Sequence, residues 1–127
     1  MVSDPIYFSS IVTSFNEVAE IRDQIEVCQG GPVVGQLYFG ENSYFKGSLF
    51  GGPMLSHQNK LLLPSRSKSL FFNGFVLCIV DVKLKSIHKT KLKSEVIWLT
   101  KVDNGKLYYR ESLDEGDTEK TIEISAL

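Results

Sequence analysis

Residues that commonly carry out catalysis are few in this chain of 127 residues, which has two histidines and two cysteines. His57 lies in a polar segment and His88 lies between basic residues, so neither stands beside an evident nucleophile. Cys28 and Cys78 each lie in or beside an apolar stretch, which predicts buried, reduced thiols. The histidines, cysteines and dispersed carboxylates show no metal-ligand spacing. We therefore expect a protein that is not an enzyme and that holds no metal or cofactor.

Charge is distributed unevenly along the chain, although the formal net charge is only −1. Residues 1–59 carry a net charge of −4, residues 60–110 carry +8 and residues 111–127 carry −5. Such asymmetry can guide association with a charged partner, unless the three parts neutralise each other in the fold. An acidic set and a basic set of side chains are therefore candidate binding residues. They are Glu17, Glu20, Asp23, Lys83, Lys85, Lys89 and Lys91.

Aromatic residues are numerous, with eight Phe, five Tyr and one Trp. Most of them must fill the core of a domain this small. Tyr44 and Phe45 lie close to a turn signal at residues 40–42, and they are candidate exposed anchors. Aromatic side chains are enriched at the energetic centres of protein interfaces, so this pair is also predicted to contact a partner.

Nucleic-acid binding is an alternative use of the basic and aromatic residues. Trp98, Tyr108 and Tyr109 are predicted on strands near the lysines, where they could stack bases while the lysines hold phosphates. The sequence pI of about 6.1 and the scarcity of arginine disfavour this interpretation. Alternating lysines are also a common protection of an exposed edge strand.

The elements that would position these residues include one predicted helix. Ser14 and Glu17 have the spacing of a capping box, in which a hydroxyl precedes a carboxylate by three residues. Apolar residues then recur at helical spacing until the Gly-Gly-Pro segment at residues 30–32. We predict an amphipathic N-terminal helix over residues 15–27.

The remaining sequence shows strands separated by turn signals. Hairpins are predicted between segments 33–39 and 44–50, and between segments 95–102 and 106–111. Asn73-Gly74 favours a type I′ turn between segments 70–72 and 75–82. A first strand is predicted over 6–13, a weakly alternating one over 87–92, and a half-buried edge strand over 120–125.

The predicted fold is a single, mostly β (α+β) domain with one N-terminal helix. Its seven to eight strands would form a largely antiparallel sheet, arranged as a sandwich, a strongly curved sheet or a partial barrel. The N-terminal residues lack the basic start and apolar core of a secretory signal, and the apolar stretch 75–80 is too short to span a bilayer. We therefore expect a cytoplasmic protein that does not insert into a membrane.

In size, β content and lack of catalytic motifs, the chain resembles the single-domain immunity proteins of bacterial toxin systems. The resemblance extends over the whole chain and assigns no role to any individual residue. It implies a small, non-enzymatic, cytoplasmic inhibitor, monomeric or weakly dimeric, that neutralises a cognate toxin by occluding the toxin's active site. Two other functions stay open at this point. One is a nucleic-acid-binding β domain, and the other is a small-molecule or carbohydrate-binding barrel whose pocket Phe71, Phe72, Trp98 and Tyr108 would line.

Overall fold

A computed structural model of the chain describes residues 11–14, 16–27, 31–68, 73–114, 116 and 118–127. Strands account for most of these residues, and a short 3-10 turn, Ile124–Ala126, follows the last strand. In chain order the strands are β1 (Ile11–Ser14), β2 (Glu17–Glu26), β3 (Val33–Phe39), β4 (Asn42–Tyr44), β5 (Phe50–Gly51), β6 (Leu55–His57), β7 (Lys60–Lys68), β8 (Asn73–Asp81), β9 (Ser86–Ser94), β10 (Trp98–Asp103), β11 (Lys106–Arg110) and β12 (Lys120–Glu123).

The strands belong to two sheets. The first nine form one sheet in which neighbours run β1-β2-β3-β5-β7-β8-β9, while β4 lies beside β3 and β6 lies beside β7. The last three form a separate sheet in the order β10-β11-β12. The pairings between these strands are antiparallel, which confirms the predicted sheet type. The predicted number of strands is too low, because β4, β5 and β6 have only two or three residues each.

The prediction of an N-terminal helix is wrong. Residues 17–26 form β2, and no α-helix occurs in the part of the chain that the structure describes. Within β2, Ala19 and Ile21 are buried, while Val18 before them is half exposed and Glu20 between them is only partly buried. This alternation has the period of two that belongs to a strand, and Ala19 and Ile21 join the core through it.

The apparent capping box is instead the turn of a hairpin. Ser14 and Glu17 are paired residues of β1 and β2. Asn16 lies in the turn between them with a φ of +61°, a left-handed conformation that asparagine tolerates better than most residues. Phe15, where the helix was expected to begin, lies outside the described residues, as do residues 6–10 of the predicted first strand.

Two of the three predicted hairpin turns are confirmed. β3 and β4 pair directly across residues 40–41, and β10 and β11 pair across Asn104 and Gly105, both of which have positive φ. The predicted strand 44–50 is interrupted, because Phe45 (φ +57°) and Gly47 (φ +92°) turn the chain between β4 and β5.

The predicted type I′ turn at Asn73-Gly74 is wrong. Both residues are part of β8, where they pair with Lys68 and Ser67 of β7. The segment 70–72, predicted as the preceding strand, lies outside the described residues.

The larger sheet is curved, because residues from its distant strands fill one apolar cluster. Ile21 of β2, Phe50 of β5 and Val80 of β8 belong to this first cluster, although β2 and β8 are separated by three strands in the sheet order. Phe50 and Val80 are fully buried there. Burial in this cluster therefore holds β2 and β8 against each other on one face of the sheet.

The three-stranded sheet covers the opposite face of the central strands. Leu62 of β7 and Leu77 of β8 pack in a second cluster with Leu99 of β10 and Leu107 of β11. All four are almost completely buried. Strands β7 and β8 are thus buried on both faces, whereas β9 and β12 each lie at an edge. No helix of the described residues is long and apolar enough to cross a bilayer.

Candidate functional site

Four of the predicted binding residues meet where the β1–β2 turn approaches the β8–β9 turn. Lys85 Nζ lies 2.5 Å from Glu17 Oε2, and it also donates a hydrogen bond to the carbonyl of Val82. The same ammonium lies 4.8 Å from the centroid of the Phe39 ring and 5.8 Å from that of Tyr44. Glu17, Phe39, Tyr44, Phe45 and Lys85 together are called the Lys85 cluster.

The rings of this cluster continue into the first apolar cluster. Phe39 and Tyr44 are 5.5 Å apart in an edge-to-face arrangement, Tyr44 and Phe45 are 6.2 Å apart, and Phe45 and Phe50 are 6.3 Å apart. Tyr44 and Phe45 are half buried by these contacts. Aromatic pairs at such distances attract each other beyond the area they bury. The Lys85 cluster is therefore packed on the first apolar cluster, with its charges and rings in contact with each other.

The other acidic candidates lie on the outer surface of β2. Glu20 Oε1 accepts a hydrogen bond of 2.7 Å from Arg22 Nε, and this bond is the main reason why the pKa of Arg22 is raised. Arg22 also lies over the Tyr38 ring at 4.5 Å and donates to the carbonyl of Gly40. Asp23 is exposed at an irregularity of β2, with a φ of +57°. These residues do not share a surface with the lysines of β9.

Strand β9 carries the rest of the basic candidates. Lys89 and Lys91 are exposed and alternate with Thr90 and Leu92, so that Lys89, Lys91 and Lys93 project from one face of the strand. Lys89 and Lys91 form no ion pair with any residue that the structure describes. We call Lys89, Lys91 and Lys93 the β9 lysines. Lys83, the remaining candidate, is exposed in the turn before β9.

A β-bulge fixes the position of these lysines. Lys93 pairs with Val76 and Lys89 pairs with Cys78, so residues 90–92 lie opposite the single residue Leu77. The buried hydroxyl of Thr90 donates to the Leu77 carbonyl at 2.9 Å and accepts from the Leu92 N–H at 3.2 Å. Because the bulge contains two extra residues, the alternation of faces continues through it.

Two grooves border β9, one on each face. A polar groove of about 570 Å³ is lined by Ser65, Ser67, Val76 and the β9 lysines, with Arg66 at its side. An apolar groove of about 490 Å³ separates β9 from β12 and has Leu92, Ile122 and Leu127 along it. These three apolar side chains are half buried against the second apolar cluster. The middle of β9, at residues 89–91, borders both grooves.

The aromatic residues proposed to stack bases are placed elsewhere. Trp98 and Tyr109 are 1% and 6% exposed, so neither ring face is available to a base. The Tyr108 ring lies under Lys101, with its centroid 4.6 Å from the ammonium. Trp98, Tyr108 and Tyr109 all belong to the separate sheet of β10–β12. The predicted arrangement of aromatic residues beside the β9 lysines is therefore wrong. Neither groove beside β9 is lined by Trp98 or Tyr108, and Phe71 and Phe72 lie outside the described residues.

Burial outweighs the contacts of the one described thiol that would favour its charged form, which come from Lys89 and Ser65. Cys78 is a buried free thiol, as predicted, and burial raises its pKa to about 11, so it is protonated at neutral pH. Cys28 lies outside the described residues. His57 pairs with Lys60 on the β6–β7 hairpin, and His88 is exposed on β9. No group of three or more His, Cys, Asp or Glu residues in this part of the chain could hold a metal ion.

Sequence reasoning identified the lysines of this surface but missed the residues that form the two grooves. Ser65 and Ser67 alternate on β7, and this alternation is the only local sign that they share a face. Ile122 and Leu127 approach Leu92 through the packing of two sheets, for which the sequence carries no local signal. Comparison with protein-family models, with curated proteins and with solved structures gives no match for this chain.

Proposed function

We propose that this chain is a non-enzymatic inhibitor that binds another protein through the basic surface of β9. The observation that carries the proposal is that Lys89 and Lys91 are exposed and unpaired with any described acidic residue. Both are exposed at an edge strand beside two open grooves, and neither has an acidic partner among the described residues. A basic surface of this kind favours an acidic partner and accelerates the encounter with it.

The immunity-protein form of this proposal assigns the partner more narrowly. The partner would be a toxin domain with an acidic surface near its active site, and the inhibitor would act in the cytoplasm by covering that site. The lysines lie beside an apolar groove, and this arrangement supports an interface with a hydrophobic centre and a charged rim.

A protein partner fits the surface better than a nucleic acid does. Among the described residues, no Phe, Tyr or Trp lines either groove beside β9, so the rings that form the usual stacking platforms for bases are missing there. The sheet that carries Trp98 and Tyr109 buries both of them. The remaining feature, a row of lysines next to half-buried Leu92, suits a polypeptide that has both acidic and apolar side chains.

The test is capture of a partner with three forms of the chain. The wild-type chain, the double variant Lys89→Glu/Lys91→Glu and the matched control Lys46→Glu/Lys106→Glu are immobilised and exposed to lysate of the source cell. Lys46 and Lys106 are also exposed but line neither groove beside β9, and both double variants change the net charge equally. We expect the wild type and the control to retain a protein that the β9 variant retains at least about tenfold more weakly.

The retained protein is then assayed with and without the purified chain. A fall in its activity at equimolar chain supports an inhibitor, and protection of cells that express it supports an immunity protein. Equal retention by all three forms would show that β9 is not the binding surface. Retention of nucleic acid alone, or a partner whose activity is unchanged, would overturn the proposal.

A further inference from the structure

Strand β9 presents a different chemistry on each of its two faces. Lys89, Lys91 and Lys93 line the polar groove, whereas Leu92 packs on the second apolar cluster. The strand is also the last of its sheet, so the backbone groups directed away from β8 have no strand beside them in the described structure. An edge of this kind is a template for a further strand.

The lysines determine which strand could occupy this edge. Side chains of directly opposite residues in neighbouring strands lie about 4.5–5.5 Å apart on the same face, and like charges at that distance repel. Antiparallel pairing of β9 with β9 of a second copy would set the β9 lysines of the two copies against each other. A wholly apolar strand would bring apolar side chains against the ammonium groups without compensation. The edge therefore excludes both a second β9 and an apolar strand.

We propose that β9 receives an extended segment of the partner in which acidic and apolar residues alternate. Its acidic side chains lie opposite the β9 lysines, and its apolar side chains lie on the other face, next to Leu92. The main chain of the segment pairs with the edge of β9 on both sides of the bulge, where the Leu92 N–H is already bonded to Thr90 Oγ1, and continues the larger sheet by one strand. The inference rests on the proposed function, and it specifies the chemistry of the part of the partner that β9 contacts.

The apolar groove supplies the second half of the recognition. Leu92 on β9 and Ile122 on β12 stand on its two sides, and Leu127 borders it after the 3-10 turn. All three are half buried and already packed on the second apolar cluster. Apolar side chains of an incoming strand would therefore extend an existing core, because they would bury apolar surface against these half-buried residues. Successive side chains on one face of that strand would be about 6.6–6.8 Å apart.

The experiment uses a synthetic probe, so it does not depend on identification of the partner. The probe is a capped peptide of about ten residues that alternates glutamate and valine, which approximates the length of β9. One control peptide alternates lysine and valine. A second control keeps glutamate and valine but carries N-methyl groups on alternate residues, so that one edge of the peptide cannot donate hydrogen bonds.

We expect the glutamate–valine peptide to bind, and the amides of β9 to exchange with solvent more slowly in its presence. Binding to the Lys89→Glu/Lys91→Glu variant should be at least about tenfold weaker, whereas Lys46→Glu/Lys106→Glu should bind as the wild type does. The lysine–valine peptide should not bind. Methylation of the edge that faces β9 should abolish binding, since the main chain then cannot pair.

Three outcomes would overturn the inference. They are binding of the methylated peptide as tight as that of the unmodified one, binding without slower exchange in β9, and binding that does not depend on the charge of residues 89 and 91. The inference can also fail while the proposed function holds. In that case a captured partner depends on Lys89 and Lys91 for binding, but the peptide does not displace it, so the partner binds β9 without adding a strand. Conversely, the peptide could add a strand to β9 while no captured protein is inhibited by the chain. That result would contradict the proposed function alone.

Discussion

Lys85 is close in the chain to Lys89 and Lys91, yet the fold uses it in the opposite way. Lys85 Nζ contacts a carboxylate, a carbonyl and two aromatic rings, and its side chain is only 19% exposed. Lys89 and Lys91 are exposed and have no ion pair in the described part of the chain. Neighbouring lysines of the basic segment therefore differ in use: Lys85 stabilises the fold, whereas Lys89 and Lys91 face solvent.

The difference lies in what surrounds each ammonium. Lys85 lies in the β8–β9 turn, where its side chain can reach groups from other strands. Its partner Glu17 is 68 residues away in the sequence. A lysine on an edge strand has a neighbouring strand on only one side, so its charge is left for solvent or for a partner. Contacts made within the chain thus identify Lys85 as a structural residue and leave Lys89 and Lys91 as the binding candidates.

Truncation of the ring beneath Lys85 should give the largest effect. Phe39 is 4% exposed, contacts Tyr44 and lies under the Lys85 ammonium. Phe39→Ala removes these contacts and leaves a cavity, so we expect the free energy of unfolding to fall by about 3–5 kcal/mol. Urea unfolding followed by circular dichroism measures it. Leu84→Ala is the control, because Leu84 is apolar but 72% exposed in the adjacent turn, and a loss equal to that of Phe39→Ala would refute the role of the cluster.

The bulge in β9 should give the next largest effect. Thr90→Val keeps the shape of the side chain but removes the hydroxyl that bonds to the Leu77 carbonyl and the Leu92 N–H. These groups lose their partner in a buried position, so the free energy of unfolding should fall by about 1–3 kcal/mol. Thr121→Val, at an exposed position of β12, should change it by less than about 0.5 kcal/mol. Equal effects of the two substitutions would show that the Thr90 hydroxyl does not fix the bulge.

Much of the sheet could be predicted from the sequence, because the signals for it are local. The Asn104-Gly105 turn and the alternation on either side of it define the β10–β11 hairpin without reference to the rest of the chain. The helix prediction failed because the apolar residues of segment 17–26 fit both the helical period of about 3.6 residues and the strand period of two. Ala19 and Ile21 are chosen for the core by pairing with β3, and such a contact overrides a local preference for helix.

The candidate site was predictable only in part. The lysines are evident as a basic segment, but their division into Lys85 on one side and Lys89 and Lys91 on the other depends on Glu17 and Phe39, which come from distant strands. Burial of Trp98 follows in the same way from the packing of the second sheet. The sequence thus identifies the candidate residues, while the packing of distant strands determines which of them form contacts within the chain.

The smallest predicted effect compares the two kinds of lysine directly. Lys85→Met keeps most of the apolar stem against the rings and removes the charge that pairs with Glu17. Because the Glu17 side chain is 40% exposed and can be hydrated again, we expect a loss of only about 1 kcal/mol in the free energy of unfolding. Lys91→Met should change it by less than about 0.5 kcal/mol, since no contact within the described chain is lost.

A double-mutant cycle makes this comparison sharper. If the ion pair of Lys85 is the source of the loss, Lys85→Met and Glu17→Gln should be coupled by about 0.2–1 kcal/mol, whereas Lys91→Met and Glu17→Gln should be additive. Partner capture should show the reverse order, because Lys91 faces the grooves beside β9 and Lys85 does not line them. A variant at Lys85 that leaves stability unchanged but weakens capture as strongly as one at Lys91 would mean that the two lysines belong to one binding surface after all.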